Sequence, residues 1–203
     1  MNPYQAVDDF EKAVAAYTGA PFCAATNSCT NAVLLCLLWL KAKGELPEAI
    51  ELPRYTYVSI PQQVLWVGAK LSWRDELWTG CYRLKPTMIW DSARRFTSGM
   101  YRGGFMALSF HASKTLGIEF GGAILCDDPK ADAWFRKARF DGRTPGVSPK
   151  NDVFDVVGLH CMMAPSMAAQ GLLKLFSLPK DNPDLPWSDY PDLSQIPLFG
   201  GAP

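Results

Sequence analysis

The chain has no net charge: twenty lysines and arginines stand against twenty aspartates and glutamates in 203 residues. That balance gives no sign of a broad surface for nucleic acid or anionic lipid, and it leaves the chain poorly protected against self-association. CxxC pairs are missing too. The six cysteines, Cys23, Cys29, Cys36, Cys81, Cys126 and Cys161, follow the spacing of no zinc module. No metal site is expected, and the thiols read as those of a reduced, intracellular protein. The acidic start, Met1 to Phe10, lacks the apolar core of a signal peptide. The longest apolar run, Ala32 to Leu40, is too short to span a bilayer. A cytoplasmic protein with no membrane or nucleic-acid partner is therefore expected. No internal repeat is visible.

What is present is an ordinary globular balance, 48% apolar and 20% charged, enough for one sizeable core with an appendage. Val7, Phe10, Val14 and Tyr17 recur at helical spacing, with Asn2 as a candidate cap and Gly19 as a stop. Pro21 to Ala25 reads as a strand, and Asn31 to Lys43 as a strongly apolar helix. Strands are predicted at Glu48–Leu52, Ala69–Trp73, Thr87–Asp91, Phe105–Phe110 and Gly122–Cys126. Helices are predicted from Ser59 to near Gly68, from Pro129 to near Phe140, and over Pro165–Phe176. Strands alternating with helices predict an α/β domain over residues 1–176 with a mixed, mostly parallel sheet. Ligands in such sheets sit where strand ends meet helix N-termini, and there the polar clusters fall: Asn27 to Thr30, Asp91, and Ser109 to Lys114.

Residues 177–203 form a proline-rich tail, with Pro179, Pro183, Pro186, Pro191, Pro197 and Pro203 breaking regular structure. It also holds Trp187, Tyr190, Leu193, Ile196, Leu198 and Phe199, more apolar bulk than a linker carries. The tail is expected to drape over its own domain or a partner subunit.

The stretch richest in chemistry is Ser109-Phe110-His111-Ala112-Ser113-Lys114, followed by Gly121-Gly122 and a strand. A lysine in a loop just past a strand-end serine suits a Schiff-base role, which needs a neutral amine in a partly desolvated site. The segment resembles the S-F-H-x-x-K…G-G motif of the DegT/DnrJ/EryC1/StrS sugar aminotransferases, fold-type I enzymes that use pyridoxal 5'-phosphate (PLP). The resemblance implies Lys114 as the Schiff-base lysine and Ser109 as a phosphate contact. Related dehydratases in the family carry histidine at that position, so the lysine favours transamination.

Other segments follow the family order. Phe10-Glu11 through Tyr17-Thr18-Gly19 resembles its opening helix. Ser28-Cys29-Thr30 resembles its S-G-T phosphate turn, with Cys29 in place of glycine; a helix N-terminus there offers free N–H groups to a phosphate. Pro53-Arg54-Tyr55-Thr56-Tyr57-Val58-Ser59 resembles P-x-x-T-[FWY]-V-[AS], which implies that Tyr57 stacks on the cofactor ring. Ile89-Trp90-Asp91 resembles the strand end whose aspartate pairs with the pyridine nitrogen, keeping it protonated so that the ring accepts electron density. Arg94 stands where the family often has glutamine or histidine. Val157 to Met163 resembles G-Y-N-x-R-[ML], with His160 at the asparagine that reaches the neighbouring subunit's cofactor phosphate.

Taken together, the resemblance covers about residues 8–176 and implies an aminotransferase. Lys114 and Asp91 are its catalytic residues, and Cys29, Thr30, Tyr57, Asp91, Arg94, Ser109, Lys114 and His160 bind PLP. The implied reaction passes an amine from an amino-acid donor such as glutamate to a nucleotide-linked keto sugar in sugar biosynthesis. A homodimer is implied, with α-helix 31–43 and Trp39, Trp66, Trp73 and Trp78 as candidate contact area. The family's C-terminal domain and its V-H-x-Y-G element are missing. Two other readings stay open: a non-catalytic PLP-binding or scaffold relative, and another PLP activity on a small amino acid.

Overall fold

The computed structural model describes residues 2–187 and 189–200. Helix α1 (Gln5–Thr18) buries Val7, Phe10 and Val14 on one face, and Gly19 ends it with φ at 77°. Asn2 does not cap it. Its side-chain oxygen accepts the Tyr4 N–H at 3.0 Å, closing a local turn that delays the helix to Gln5. Strand β1 (Phe22–Thr26) leads to helix α2 (Cys29–Ala42), which Ser28 caps by accepting the Asn31 N–H at 3.2 Å. Helix α2 is a core element, burying Ala32, Val33, Leu35, Cys36 and Leu37. That explains its apolar sequence without an interface.

Strand β2 (Ala49–Pro53), helix α3 (Ser59–Trp66) and strand β3 (Lys70–Arg74) form a parallel βαβ unit with its own two-stranded sheet. The main sheet holds β4 (Tyr82–Leu84), β5 (Ile89–Asp91), β6 (Phe105–Ser109), β7 (Gly122–Cys126) and β1, in the order β1-β7-β6-β5-β4. Of its pairings only β5–β6 is parallel. The expected α/β fold with a mixed sheet flanked by helices is present, but the main sheet is mostly antiparallel rather than mostly parallel. The reason lies in the connections. A parallel return needs a long crossover, commonly a helix. Neither the Lys85–Met88 turn nor the 110–121 loop contains one, so β4–β5 and β6–β7 return antiparallel.

Helix α4 (Pro129–Ala138) is capped by the Asp128 carboxylate, which accepts the Lys130 N–H at 2.8 Å. Helix α5 (Pro165–Ser177) packs on α1, and Gly171 admits the Phe10 ring: a Cβ there would lie 2.5 Å from it. Alternation along the strands divides the core in two. Ala24, Ala107, Ile124 and Cys126 face α2, α3 and α4, while Cys23, Ala25, Met106, Leu108 and Leu125 face α1 and α5. Buried Glu11 ties the layers together. It accepts the Ala25 N–H at 2.8 Å and pairs with Arg136 at 2.6 Å and with Arg139. All six cysteines are free, and no helix among the described residues is long and apolar enough to cross a membrane.

The stretch after Ser177 lies along this same chain. Arg95 Nε donates to Asp184 at 2.9 Å, Thr79 bridges Pro186, and Trp187 packs on Tyr55 with centroids 4.8 Å apart. Leu193 is fully buried, and Phe199 packs edge-on against Trp73. Of the four tryptophans considered for an interface, Trp66 is exposed but Trp78 is buried, because the tail covers its side of the fold. Leu193→Ala should therefore lower unfolding free energy by about 2–4 kcal/mol in urea titration; an unchanged midpoint would mean that the tail is not packed in solution.

Candidate active site

At the carboxyl ends of β5 and β6 the loops open a pocket of about 430 Å³, within the size range of small-molecule sites. Its lining includes Cys29, Thr30, Tyr57, Asp91, Arg94, Ser109 and Lys114. Seven of the eight residues singled out from the sequence are thus brought together from four separate segments.

The first segment is the α2 N-terminus. Ser28 caps the Asn31 N–H, and the Ala32 N–H reaches the Ser28 carbonyl, but the Cys29 and Thr30 N–H groups have no acceptor among the described residues. Two uncommitted donors at the positive end of a helix dipole form an anion seat. The Thr30 and Ser59 hydroxyls, 2.9 Å apart, stand beside it. Gly122 makes this seat possible. A Cβ there would lie 2.4 Å from the Cys29 nitrogen and 2.4 Å from the Ser28 carbonyl carbon, so only glycine lets α2 begin against β7. The Gly121-Gly122 pair of the lysine segment therefore shapes the helix start as well.

Asp91 ends β5 and is buried. Its Oδ1 accepts the Ala93 N–H at 2.9 Å and its Oδ2 accepts the Tyr82 hydroxyl at 2.8 Å. Tyr82 in turn shares a short hydrogen bond with Thr56. Burial pushes the Asp91 carboxyl up. The Ala93 N–H, the Tyr82 hydroxyl, Lys114 and Arg94 all work against that rise. Cys29 Sγ lies 3.9 Å from Asp91 Oδ1, and burial and then Asp91 push its thiol well up, so Cys29 acts as a small neutral wall.

Lys114 is held at the loop by its N–H, which donates to the His111 carbonyl at 2.8 Å. His111 is fixed by Ser113 at 2.9 Å. Among the described residues the Lys114 Nζ has no hydrogen bond or ion pair. Burial lowers its pKa first and Arg94 second, against the opposing pull of Asp91 and Cys29. An unpartnered, partly desolvated amine facing a pocket is the state in which a lysine attacks a carbonyl.

Tyr57 is 54% exposed at the rim, where its ring is free to cover a flat ligand. His160 is not at this pocket. Its β-bridge to Phe140 and a 2.7 Å contact with Asp141 hold it on the surface, 81% exposed at the side chain. Three further contributors escaped the sequence reading: Trp78, Tyr82 and Tyr190. Tyr82 is signalled only by its spacing from Asp91 across a hairpin, and Tyr190 comes from the tail. No group of three or more His, Cys, Asp or Glu among the described residues is placed to hold a metal.

The chain matches the DegT/DnrJ/EryC1/StrS aminotransferase family over residues 1–83 and 97–182. It belongs to that family. Three solved structures share its fold. AtS13 from Actinomadura melliaura has 20% identity and a TM-score of 0.74, covering 85% of this chain and 60% of that one. A DegT DnrJ EryC1 StrS aminotransferase from Brucella abortus has 21% identity and a TM-score of 0.69, covering 85% and 58%. The sugar aminotransferase CalS13 from Micromonospora echinospora has 17% identity and a TM-score of 0.70, covering 85% and 60%. The chain thus spans about 60% of the length of these neighbours. No curated protein matches it.

Two outcomes are expected. Gly122→Ala should destabilise the fold by about 1–3 kcal/mol in denaturant titration and weaken binding of inorganic phosphate; unchanged phosphate affinity would count against the anion seat. Arg94→Gln should raise the Lys114 pKa, because a cation that opposes its protonation is removed. The pH at which Lys114 becomes half-reactive to an acylating reagent, followed by peptide mapping, should shift upward; no shift would separate the two charges.

Proposed function

We propose that this chain binds PLP in the pocket and belongs to an enzyme that transfers an amino group to a keto sugar. The observation that carries this reading is the placement of an unpartnered, partly desolvated Lys114 amine in one pocket with buried Asp91 and the free N–H groups of α2. This donor set fits PLP. The Cys29 and Thr30 N–H groups, with the Thr30 and Ser109 hydroxyls, would hold its phosphate. Tyr57 would cover the ring, Asp91 would face the ring nitrogen, and Lys114 would hold the aldehyde carbon. A protein of Streptococcus pneumoniae with the same fold, 19% identical, has been solved in both PLP and PMP forms.

When bound, PLP supplies an electron sink for the carbon that loses its proton. The rest falls to the protein. The Ala93 N–H and the Tyr82 hydroxyl, with Lys114 and Arg94, favour the Asp91 anion against the push of burial, and an anion there would keep a ring nitrogen protonated. The Lys114 amine would serve as the base that takes a proton from the substrate carbon. Its lowered pKa leaves it neutral more of the time. Arg94 holds positive charge close to the same point.

Nucleotide-linked keto sugar as acceptor and glutamate as donor rest on the family alone. A homodimer completes the reading, with exposed His160 available to a neighbouring subunit's phosphate. A non-catalytic PLP-binding scaffold is the second reading, favoured by Cys29 and Arg94 standing where the family motifs carry glycine and glutamine or histidine.

The deciding experiment is to load the purified chain with PLP, record its visible absorbance, reduce it with borohydride and map the peptides. A pyridoxyl group is expected on Lys114. Lys114→Ala should carry none and should lose amine transfer by on the order of 10²–10⁴-fold, while Asp91→Ala should keep PLP but transfer slowly. A folded protein with no absorbance band would overturn the cofactor assignment; a labelled protein inert to every amino donor and keto-sugar acceptor would point to the scaffold.

A further inference from the structure

Tyr190 lies beyond the family match, which ends at residue 182, yet it lines the pocket. Its position is fixed from several sides. Leu185 donates its N–H to the Arg94 carbonyl at 2.9 Å, and Gly80 donates its own to the Leu185 carbonyl at 3.1 Å. Gly80 admits this crossing because a Cβ there would lie 2.3 Å from the Asp184 side chain. The Tyr190 ring then stacks on Trp78, with centroids 6.2 Å apart and planes 18° apart. The Trp78 indole N–H donates to the Tyr55 carbonyl at 2.7 Å.

The hydroxyl of Tyr190 accepts Arg94 Nε at 3.2 Å, and the guanidinium carbon lies 5.0 Å from the ring centroid. Only Nε is engaged. Among the described residues Nη1 and Nη2 make no hydrogen bond, and no carboxylate lies within ion-pair distance of Arg94. A half-buried guanidinium that lines a pocket with its two terminal nitrogens free is a fork for an acidic group. The α2 N-terminus already provides a separate anion seat in the same pocket, so a second anion is called for here, next to Lys114.

We infer that Tyr190 is a positioning residue that holds the Arg94 guanidinium to receive a carboxylate of the reactant, so that the tail sets substrate selectivity. This deepens the amino-transfer reading above and rests on it for the word reactant. A carboxylate beside the reacting amine is the arrangement of an amino acid or oxo acid; a uronic acid presents the same group farther from the reacting carbon.

The test is calorimetric titration of the full chain, without cofactor and again with PLP, using glutarate, glucuronate and uncharged glutaramide. Wild type should prefer glutarate to glutaramide. Arg94→Gln should lose that preference, Arg94→Lys should restore part of it, and Tyr190→Phe, which keeps the ring, should reduce it about three- to tenfold with an unchanged melting temperature. Tyr190→Ala should approach Arg94→Gln. Stronger binding of glutarate than glucuronate would identify the amino-acid side of the reaction, and the reverse an acidic sugar. Carboxylate binding that survives Arg94→Gln, or is absent in wild type, overturns the inference, as does a Tyr190→Phe protein that behaves as wild type. Because the titration is read without cofactor, a failure of PLP to bind would sink the proposed cofactor and leave this result standing or falling by itself.

Discussion

At Gly122 the backbone of β7 comes so near the start of α2 that a single added carbon would lie 2.4 Å from the Cys29 nitrogen. The rest of the site depends on that approach. It fixes where α2 begins, and so where two uncommitted N–H groups and the positive end of a helix dipole point. It also ties the lysine loop to the anion seat, since Gly121-Gly122 closes the one while Ser28-Cys29 opens the other. A side chain at residue 122 would push the helix off the sheet and open the floor between Lys114 and Asp91.

On that floor, burial and charge act in opposition. Desolvation raises Asp91 and lowers Lys114, which drives both toward neutrality. The Ala93 N–H and the Tyr82 hydroxyl favour the Asp91 anion against that push. Among the described residues Lys114 has no comparable partner, and Arg94 presses it further toward the free amine. A buried carboxylate with its hydrogen bonds met and a half-buried amine with none among the described residues are different objects. The first is built to keep its charge and the second to lose it. This asymmetry gives the family assignment a physical basis in this chain's own residues.

The tail changes how the short chain is understood. A segment with so many prolines makes no regular element, but its large apolar side chains have no reason to stay in water. Leu193 is buried, Trp187 covers Tyr55, and Tyr190 reaches the pocket. The tail thus walls one side of the site and places an aromatic hydroxyl against Arg94, a residue that departs from the usual family pattern.

The sequence by itself determined the local features: the helices, from apolar spacing and Gly19; most strands, from short apolar runs; and the Ser109–Lys114, Asp91 and Ser28–Thr30 segments, because each is a contiguous run of chemically specific residues. Sheet direction was not legible, since antiparallel pairing follows from connections that lack helices rather than from any strand's composition. Tyr82 and Tyr190 were not legible as site residues, for nothing within a few positions of either marks it; one acts across a hairpin and the other across about a hundred residues of chain. Nor was the place of Trp78, whose burial needs the returning tail. Only the tertiary structure decides such contacts, because hydrogen bonds, ion pairs and desolvation depend on distance in space, and residues far apart in the chain become neighbours only when the core closes.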